Sequence, residues 1–391
     1  MVTFSDRPVI RKQPLHVMHV VHKFGVGGME VGIAKLVNSL PPASIDSSIC
    51  SCCPADSLKE QLRPGTRLFE LNRRRGNDPA LVWQLYQLFR REHPDVVHTH
   101  RWGTLCEGLV AARLAGVPHL VHGEHGTLEV RRLNAFIQRR AWNHVDRVLS
   151  VSSRLAEKIS QEIGYPLKRI TVIRNGVDLK RFRPQDKPSA RRRLNLPEDA
   201  FVIGTVGRLV EVKDHATFLR ALAQLRDAGV PFVSVIAGKG PLERQTESLA
   251  ATLGLMDRMR FLGDRNDVDS VMAAFDVFVL SSASEGLSNT IQEAMACGLP
   301  VVATRVGGAD ELVDEGKSGI IVPPRDPEAL KNALQRIAGN PSLRERMGAV
   351  GLGRARLLFG LDRMIREYEA VYTGLRSDRP EPLGKAQVRE V

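Results

Sequence analysis

The sequence predicts an α/β protein built from two doubly wound parallel-sheet domains in tandem. Three observations carry that expectation. The chain has 391 residues, too many for one ordinary core and suited to two domains of roughly 150–200 residues. Short apolar runs alternate with helical runs, the pattern of parallel strands joined by crossover helices. The alternation halts in a proline- and charge-rich segment, 180–198, which reads as a linker, and then begins again.

In chain order, LHVMHVVHKF (15–24) reads as the first strand, followed by a glycine-rich turn and the helical run EVGIAKLVNSL. SSICSCC (47–53) is a short strand. PALVWQLYQLFRREH (79–93) spaces its apolar residues three and four apart, as a helix does. DVVHTH is a buried-type strand, LCEGLVAARLAG a helix, HLVHGEHG a strand running into a loop, RVLSVS a strand, and RITVIRNGVD a strand ending in Asn-Gly. After the linker, FVIGTVG (201–207), FVSVIAGKG (232–240), RMRFLGD (258–264), VFVLSS (277–282), VVAT (301–304) and GIIVPP (319–324) supply strands. HATFLRALAQLRDAG (215–229) and PEALKNALQRIAG (327–339) supply helices. DRMIREYEAVYTGLR (362–376) is a last helix, and the tail, 377–391, reads as disordered. The expected domains are therefore 1–182 and 183–361. In such sheets ligands bind beyond the carboxyl ends of the strands.

Composition narrows the function. Hydrophobic residues at 43% and charged residues at 26% are globular values and exclude a disordered or fibrous chain. No apolar run approaches the ~20 residues that span a bilayer, and the first residues lack a signal-peptide cleavage pattern, so the expectation is a cytoplasmic protein. Five cysteines, Cys50, Cys52, Cys53, Cys106 and Cys297, are an odd count in a large chain, which argues against disulfides and a zinc site. The net charge is +12 and lies unevenly. Residues 1–180 hold 26 Lys and Arg against 16 acidic residues, while 181–391 hold 30 against 28. A basic half beside a near-neutral half points to an anionic surface or ligand, or to solubility alone. Nucleic acid is disfavoured, with 5% aromatics for stacking and no zinc-finger or RNA-binding signature.

Several strings carry chemistry. GVGGME (25–30) lies between a strand and its helix, where glycines let an anion approach the backbone or simply make a tight turn. It is not the dinucleotide fingerprint, because Glu30 stands where a third glycine belongs, so a nicotinamide dehydrogenase is disfavoured. HTH puts His98 and His100 on one strand face, and His122 ends another strand; structural histidines and a metal site both fit them. His125, between Gly123 and Gly126 in the second strand's loop, is a cleft candidate. In VGRLVEVKDH (206–215), Arg208 and Lys213 can clamp a diphosphate at a strand's carboxyl end or stand as solvated charges. In SASEGLSNTIQEAMACGLPVVAT (282–304), Glu285 ends a strand and Glu293 lies a turn into a helix opened by Ser288 or Asn289. The two carboxylates can face one pocket as acceptors for sugar hydroxyls.

Taken in this order with NGVD, AGKGPLE and FLGD, these strings resemble the retaining, nucleotide-sugar-dependent glycosyltransferases of family 4. Within that family the chain is similar to sugar transferases of bacterial exopolysaccharide clusters. The resemblance runs from His16 to about Leu375 and implies the GT-B fold, two Rossmann-like domains facing a central cleft. The first domain would take the acceptor and the second the nucleotide sugar, with the last helix crossing back onto the first.

Carried over by residue, Arg208 and Lys213 would bind the donor diphosphate and Gly28 would let it approach the first domain. Glu285 would bind the donor sugar, with Gly286, Leu287, Ser288 and Asn289 along sugar and phosphates. Glu293 would accept from the ribose, Leu262 and Gly263 would lie beside the base, and His125 near the transferred sugar. Catalysis would rest on His125 and Glu285, without a cofactor or metal. Many relatives carry an aromatic residue and a second glycine where this chain has Leu287 and Ser288, so the sugar stays open.

Implied partners are a nucleotide-diphosphate sugar and a glycan or polyprenyl-linked acceptor, not nucleic acid. Arg73, Arg74, Arg75 and the basic amphipathic run RRLNAFIQRRAW (131–142), with Arg131, Arg132, Arg139 and Arg140, add an expected peripheral hold on the inner face of an anionic membrane, although a solvated surface helix fits the same pattern. The rival readings are a nucleotide-sugar epimerase on the same fold, needing no acceptor, and a basic binding module, which would leave Glu285 and Glu293 without a role.

Overall fold

The computed structural model describes residues 13–25, 27–74, 78–126 and 132–377. The tail from Asp378, expected to be disordered, lies outside the described residues, as do Arg75 and Arg131 of the basic clusters. Among the described residues there are two all-parallel sheets. The first holds β1 (Leu15–Lys23), β2 (Ile45–Cys53), β3 (Arg67–Glu70), β4 (Val96–His100), β5 (His119–Glu124), β6 (Arg147–Ser150) and β7 (Ile170–Val172), ordered β3-β2-β1-β4-β5-β6-β7. The second holds β8 (Val202–Val206), β9 (Val233–Ala237), β10 (Met259–Phe261), β11 (Val277–Leu280), β12 (Val301–Thr304) and β13 (Gly319–Val322), ordered β10-β9-β8-β11-β12-β13. Each is the doubly wound Rossmann order, with its direction of winding reversing between the first and fourth strands of the sheet. That reversal lies between β1 and β4 in one sheet and between β8 and β11 in the other.

The strands read as near-continuous apolar runs because helices cover both faces of a parallel sheet. Every residue of β4, β8, β11, β12 and β13 is buried. Around the first sheet Val21, Phe24, Ile33, Val37, Ile49 and Leu58 form a core cluster. Around the second, Ile203, Phe218, Leu222, Ile236, Val279 and Leu334 belong to a larger one. A Cβ at Gly204, inside β8, would lie 2.1 Å from the Phe275 ring, so only glycine lets that ring pack on the strand. Helix ends follow local chemistry. Asp78 accepts from the Ala80 N–H at 3.1 Å to cap Pro79–Glu92, which also starts with proline.

The described residues fall into two compact units. One runs to Gly123 and adds Ile137–Val148 and the chain from Ile365; the other is Glu124–Phe136 with Leu149–Met364. In the first, the final helix, Leu361–Ser377, brings Tyr372 to His98 (hydroxyl to Nδ1, 2.8 Å) and Glu369 to the Ser44 hydroxyl at 2.7 Å.

The expected linker is partly a folded element. Lys187–Arg193 is a helix, and Arg191 is buried against Asp276 at 2.6 Å, with Lys187 on the same carboxylate at 2.9 Å. Proline content signalled a break here, whereas the buried arginine made the segment part of the second unit's wall. Arg73, expected in a surface cluster, is turned inward onto Glu107 at 3.0 Å and is 12% exposed.

Candidate active site

The second unit's reversal point carries most of the expected residues. Beyond β8 the chain passes Gly207 and the exposed Arg208, makes a short 3-10 turn at Glu211–Lys213, and enters the helix His215–Asp227. Beyond β11 it runs through Ser281 to Glu285. The two loops are joined, since the Ala283 N–H donates to Val212 O at 2.8 Å and the Ser281 hydroxyl to Lys213 O at 3.0 Å. At their junction the Lys213 ammonium donates to Glu285 Oε1 at 2.5 Å, and the Ser282 hydroxyl donates to the same oxygen at 2.7 Å. The side chains are 21% and 15% exposed, so this ion pair is largely desolvated yet reachable. Behind it, His215 is pushed down to about 4, by burial first and by the Lys213 charge second, and is neutral.

The segment after Glu285 is held by close backbone packing. A Cβ on Gly286 would lie 2.2 Å from His125 O, and one on Gly307, at φ 54°, would lie 2.5 Å from Glu285 O. The Gly308 N–H donates to Gly286 O at 2.7 Å. Leu287 and Ser288 are buried, and Ser288 caps the helix Asn289–Ala296 through the Ile291 N–H. Asn289 accepts from Asn175 Nδ2 at 2.9 Å. Glu293 is buried at 8% exposure, so it is not an ordinary surface helix residue. At the end of the β9–β10 pair, Gly263 at φ 63° accepts from the Gly238 N–H at 2.7 Å, and Leu262 donates to Ile236 O at 2.9 Å. A Cβ on Gly263 would lie 3.1 Å from Lys239 Cε, which places that exposed lysine beside the loop.

Thus Lys213, Glu285, Gly286, Ser288 and Asn289 share one segment of structure, and Arg208 leaves the neighbouring strand end. His125 meets Gly286 through its backbone. Gly28 belongs to the first unit, where it is exposed at the start of the helix Gly28–Ser39. The Glu30 carboxylate folds back there, 2.3 Å from where a Cβ on Gly27 would be. Sequence reasoning did not single out Ser282, Lys239, Gly307 or Asn175. Ser282 and Lys239 lay inside quoted strings and could have been found by asking which polar side chains share a strand end with Glu285 and Lys213.

Two groups bear on metals. The sequence NDVDS (266–270) holds an Asp-x-Asp pair, in which Asp267 is paired with Arg265 at 2.7 Å and Asp269 with Arg181 at 3.0 Å, so each carboxylate has its own arginine. Among the described residues, His19, His98 and His100 form one group in which each brings a ring nitrogen within 4.8 Å of the other two. All three are buried inside the first unit, and burial drives His19 down to about 3.

The model of the family Glycosyltransferase Family 4 matches residues 26–181, and that of Glycosyl transferases group 1 matches 186–352. The D-inositol 3-phosphate glycosyltransferase of Streptomyces scabiei (strain 87.22) is 30% identical over 394 residues, spanning 90% of this chain and 87% of its own. The chain belongs to glycosyltransferase family 4. Another relative in the family is the UDP-Gal:alpha-D-GlcNAc-diphosphoundecaprenol alpha-1,3-galactosyltransferase of Escherichia coli, 32% identical over 68% of this chain and 72% of its own. Among solved structures, Anabaena Alr3699/HepE in complex with UDP-glucose superposes with a TM-score of 0.80 at 22% identity, covering 92% of this chain and all (100%) of that one. The fold is GT-B, and the enzyme is a glycosyltransferase. The relatives named are transferases, so the comparisons do not favour the isomerase reading.

For a family 4 enzyme the geometry has direct chemical meaning. An ammonium has three N–H donors, so Lys213 can hold Glu285 with one and still offer two to phosphate oxygens. Lys213 and Ser282 both donate to Oε1 of Glu285, so one carboxylate oxygen is held and oriented.

Proposed function

We propose that this glycosyltransferase moves a sugar from a nucleotide-diphosphate sugar, with retention at the anomeric carbon, to a glycan or polyprenyl-linked glycan in the assembly of exopolysaccharide or another cell-envelope polysaccharide. The observation that carries this reading is the Lys213–Glu285 pair, 2.5 Å apart at the second sheet's reversal point with Arg208 exposed beside it. Arg208 and Lys213 neutralise the leaving diphosphate, a preorganised electrostatic role. Glu285 orients the sugar, the backbone of Gly286 to Asn289 follows sugar and phosphates, and Glu293 takes the ribose. Leu262 and Gly263 flank the base, and His125 polarises the sugar. No metal or cofactor takes part. The names of relatives lend support: one uses UDP-Gal and a diphosphoundecaprenol-linked acceptor, and the Anabaena structure holds UDP-glucose.

Donor alone tests the reading. Slow hydrolysis of the correct nucleotide sugar, followed by proton NMR, should release free sugar first in the donor's own anomeric configuration. Release of the opposite anomer refutes retention, and release of an epimerised sugar supports an isomerase instead.

The basic half supports peripheral attachment to an anionic membrane face. Among the described residues no helix is long and apolar enough to cross a membrane. In the helix Arg132–Trp142, Leu133 and Phe136 are exposed (70% and 63%), Arg139 and Arg140 are exposed, and Trp142 is buried. Each cation near an anionic surface contributes about 1 kcal/mol. Vesicle co-sedimentation should require anionic lipid and weaken in the Arg139→Glu/Arg140→Glu variant; equal recovery with neutral vesicles removes the helix from this role.

A further inference from the structure

The first sheet has its own reversal point, between β1 and β4. β1 and β4 pair with Val20 opposite Thr99, so two residues further on His22 and Arg101 leave the two strands side by side. Both are exposed. Arg73 stands close by, its N–H bonded to Cys52 O at 2.9 Å and its guanidinium bonded to Gly103 O at 2.5 Å and Glu107 Oε1 at 3.0 Å. Lys23 is taken by Asp56 at 3.0 Å. Arg101 is different. Its guanidinium makes no hydrogen bond or ion pair among the described residues.

The backbone at Arg101 is the second observation. It sits at φ 64° and ψ 164°, a conformation that is essentially glycine's alone. The fold holds it there on both sides. The Arg101 N–H donates to Gly123 O at 2.9 Å, Arg101 O accepts from the Thr104 N–H at 3.2 Å, and the Thr104 hydroxyl donates to His100 O at 2.9 Å. Glycine would take this position without strain, yet the chain places an arginine there. Strain of this kind gathers where a side chain must be aimed. The local field is positive: burial first, and then the Arg73 and Arg101 charges, hold His22 below its usual range against the opposing Glu107. The imidazole is therefore neutral and keeps an N–H to donate.

We propose that Arg101 and His22, with Arg73 behind them, form an anion subsite at the first sheet's reversal point, and that it takes a phosphate carried by the acceptor. The acceptor is then a phosphate-bearing molecule, such as a lipid diphosphate-linked sugar or a phosphomonoester, and not a neutral glycan. Arg101 supplies a bidentate guanidinium, the geometry that matches phosphate oxygens. His22 adds one neutral donor. Arg73, held by Glu107, positions Arg101's surroundings and adds field. The word acceptor rests on the transferase reading; the anion subsite does not.

The test is calorimetric titration of the whole chain with two probes, inorganic pyrophosphate and geranyl diphosphate. Wild type should show two sites for diphosphate. Arg101→Gly should lose one of them, with affinity falling at least tenfold, and Arg208→Ala should lose the other. Arg101→Lys should recover part of the lost binding. Arg101→Gly should also melt no lower than wild type, because glycine adopts that backbone freely; a merely structural arginine would leave a less stable protein. Tighter geranyl diphosphate at the Arg101 site assigns a lipid-borne diphosphate, and equal affinity for the two probes assigns phosphate alone. Unchanged binding in Arg101→Gly, or loss of all binding in Arg208→Ala, overturns the proposal. Failure of the donor reading would show separately, as nucleotide sugars that bind neither wild type nor Arg208→Ala.

Discussion

Replacing Lys213 by methionine removes the cation but keeps most of the side chain's volume, so the change isolates the Lys213–Glu285 pair. The charges are 2.5 Å apart at their nearest atoms and 21% and 15% exposed. At the effective dielectric of a partly buried site, two charges about 4 Å apart attract by about 4 kcal/mol. Breaking a fully buried pair costs about 3–5 kcal/mol, mostly for the charge left behind. Here water reaches both groups and Ser282 still donates to Glu285, so the discounted cost is about 2 kcal/mol. In a unit of this size that lowers Tm by about 4–8 °C. Glu285→Gln should cost a similar amount, and the double variant little more than either, a coupling of about 1.5–2 kcal/mol. Calorimetry is the right assay. Trp83, Trp102 and Trp142 all lie in the first unit, so tryptophan fluorescence would report the wrong one. Turnover at saturating donor should fall by about 10²–10³ in Lys213→Met, the loss typical of one donor to a developing negative charge. Stability losses that add within about 0.5 kcal/mol would refute the coupling and reduce the pair to two independent surface charges.

Gly286→Ala places a Cβ 2.2 Å from His125 O, a backbone atom that cannot swing away, so it should cost about 1–3 kcal/mol by overpacking and cut turnover sharply; wild-type Tm and rate would show that the packing does not constrain the segment. His19 and His215 are pushed down to about 3 and about 4 by burial, so the unfolded chain binds protons that the folded chain does not. Their stabilising effect is present above the ordinary histidine range and is lost as pH falls below about 6.5, by at most about 1.4 kcal/mol per pH unit for each. Urea midpoints should therefore drop between pH 7 and pH 5, and less so in His215→Gln; an identical drop in that variant would contradict the assignment. Transfer should persist in EDTA, since Asp267 and Asp269 are each held by an arginine; activity lost in EDTA and restored by manganese would contradict a metal-free mechanism.

The fold was legible because parallel strands buried on both faces leave uninterrupted apolar runs such as VFVLSS and VVAT. β3, three half-buried residues and one exposed at a sheet edge, left no such signal. The segment 180–198 was misread because prolines mark a break but do not reveal that Arg191 buries its guanidinium on Asp276. In the site, Glu285 stood out through its place between a strand and a glycine. Its partnership with Lys213 did not, because the two are far apart in sequence and meet only when β8 and β11 become neighbours. Arg101 was invisible for a different reason: residue type says nothing about φ, and an arginine gives no hint of a glycine-like backbone.

Thermal shift of the whole chain with UDP-, GDP- and ADP-sugars, run in parallel on wild type and Arg208→Ala, tests most directly that the second unit binds a nucleotide-diphosphate sugar through its reversal-point cations. One nucleotide class at about a hundred times its Kd should stabilise wild type by about 2.7 kcal/mol, or about 5–10 °C, and the shift should collapse in Arg208→Ala. No shift with any of the three classes, or an equal shift in the variant, would contradict donor binding at that site.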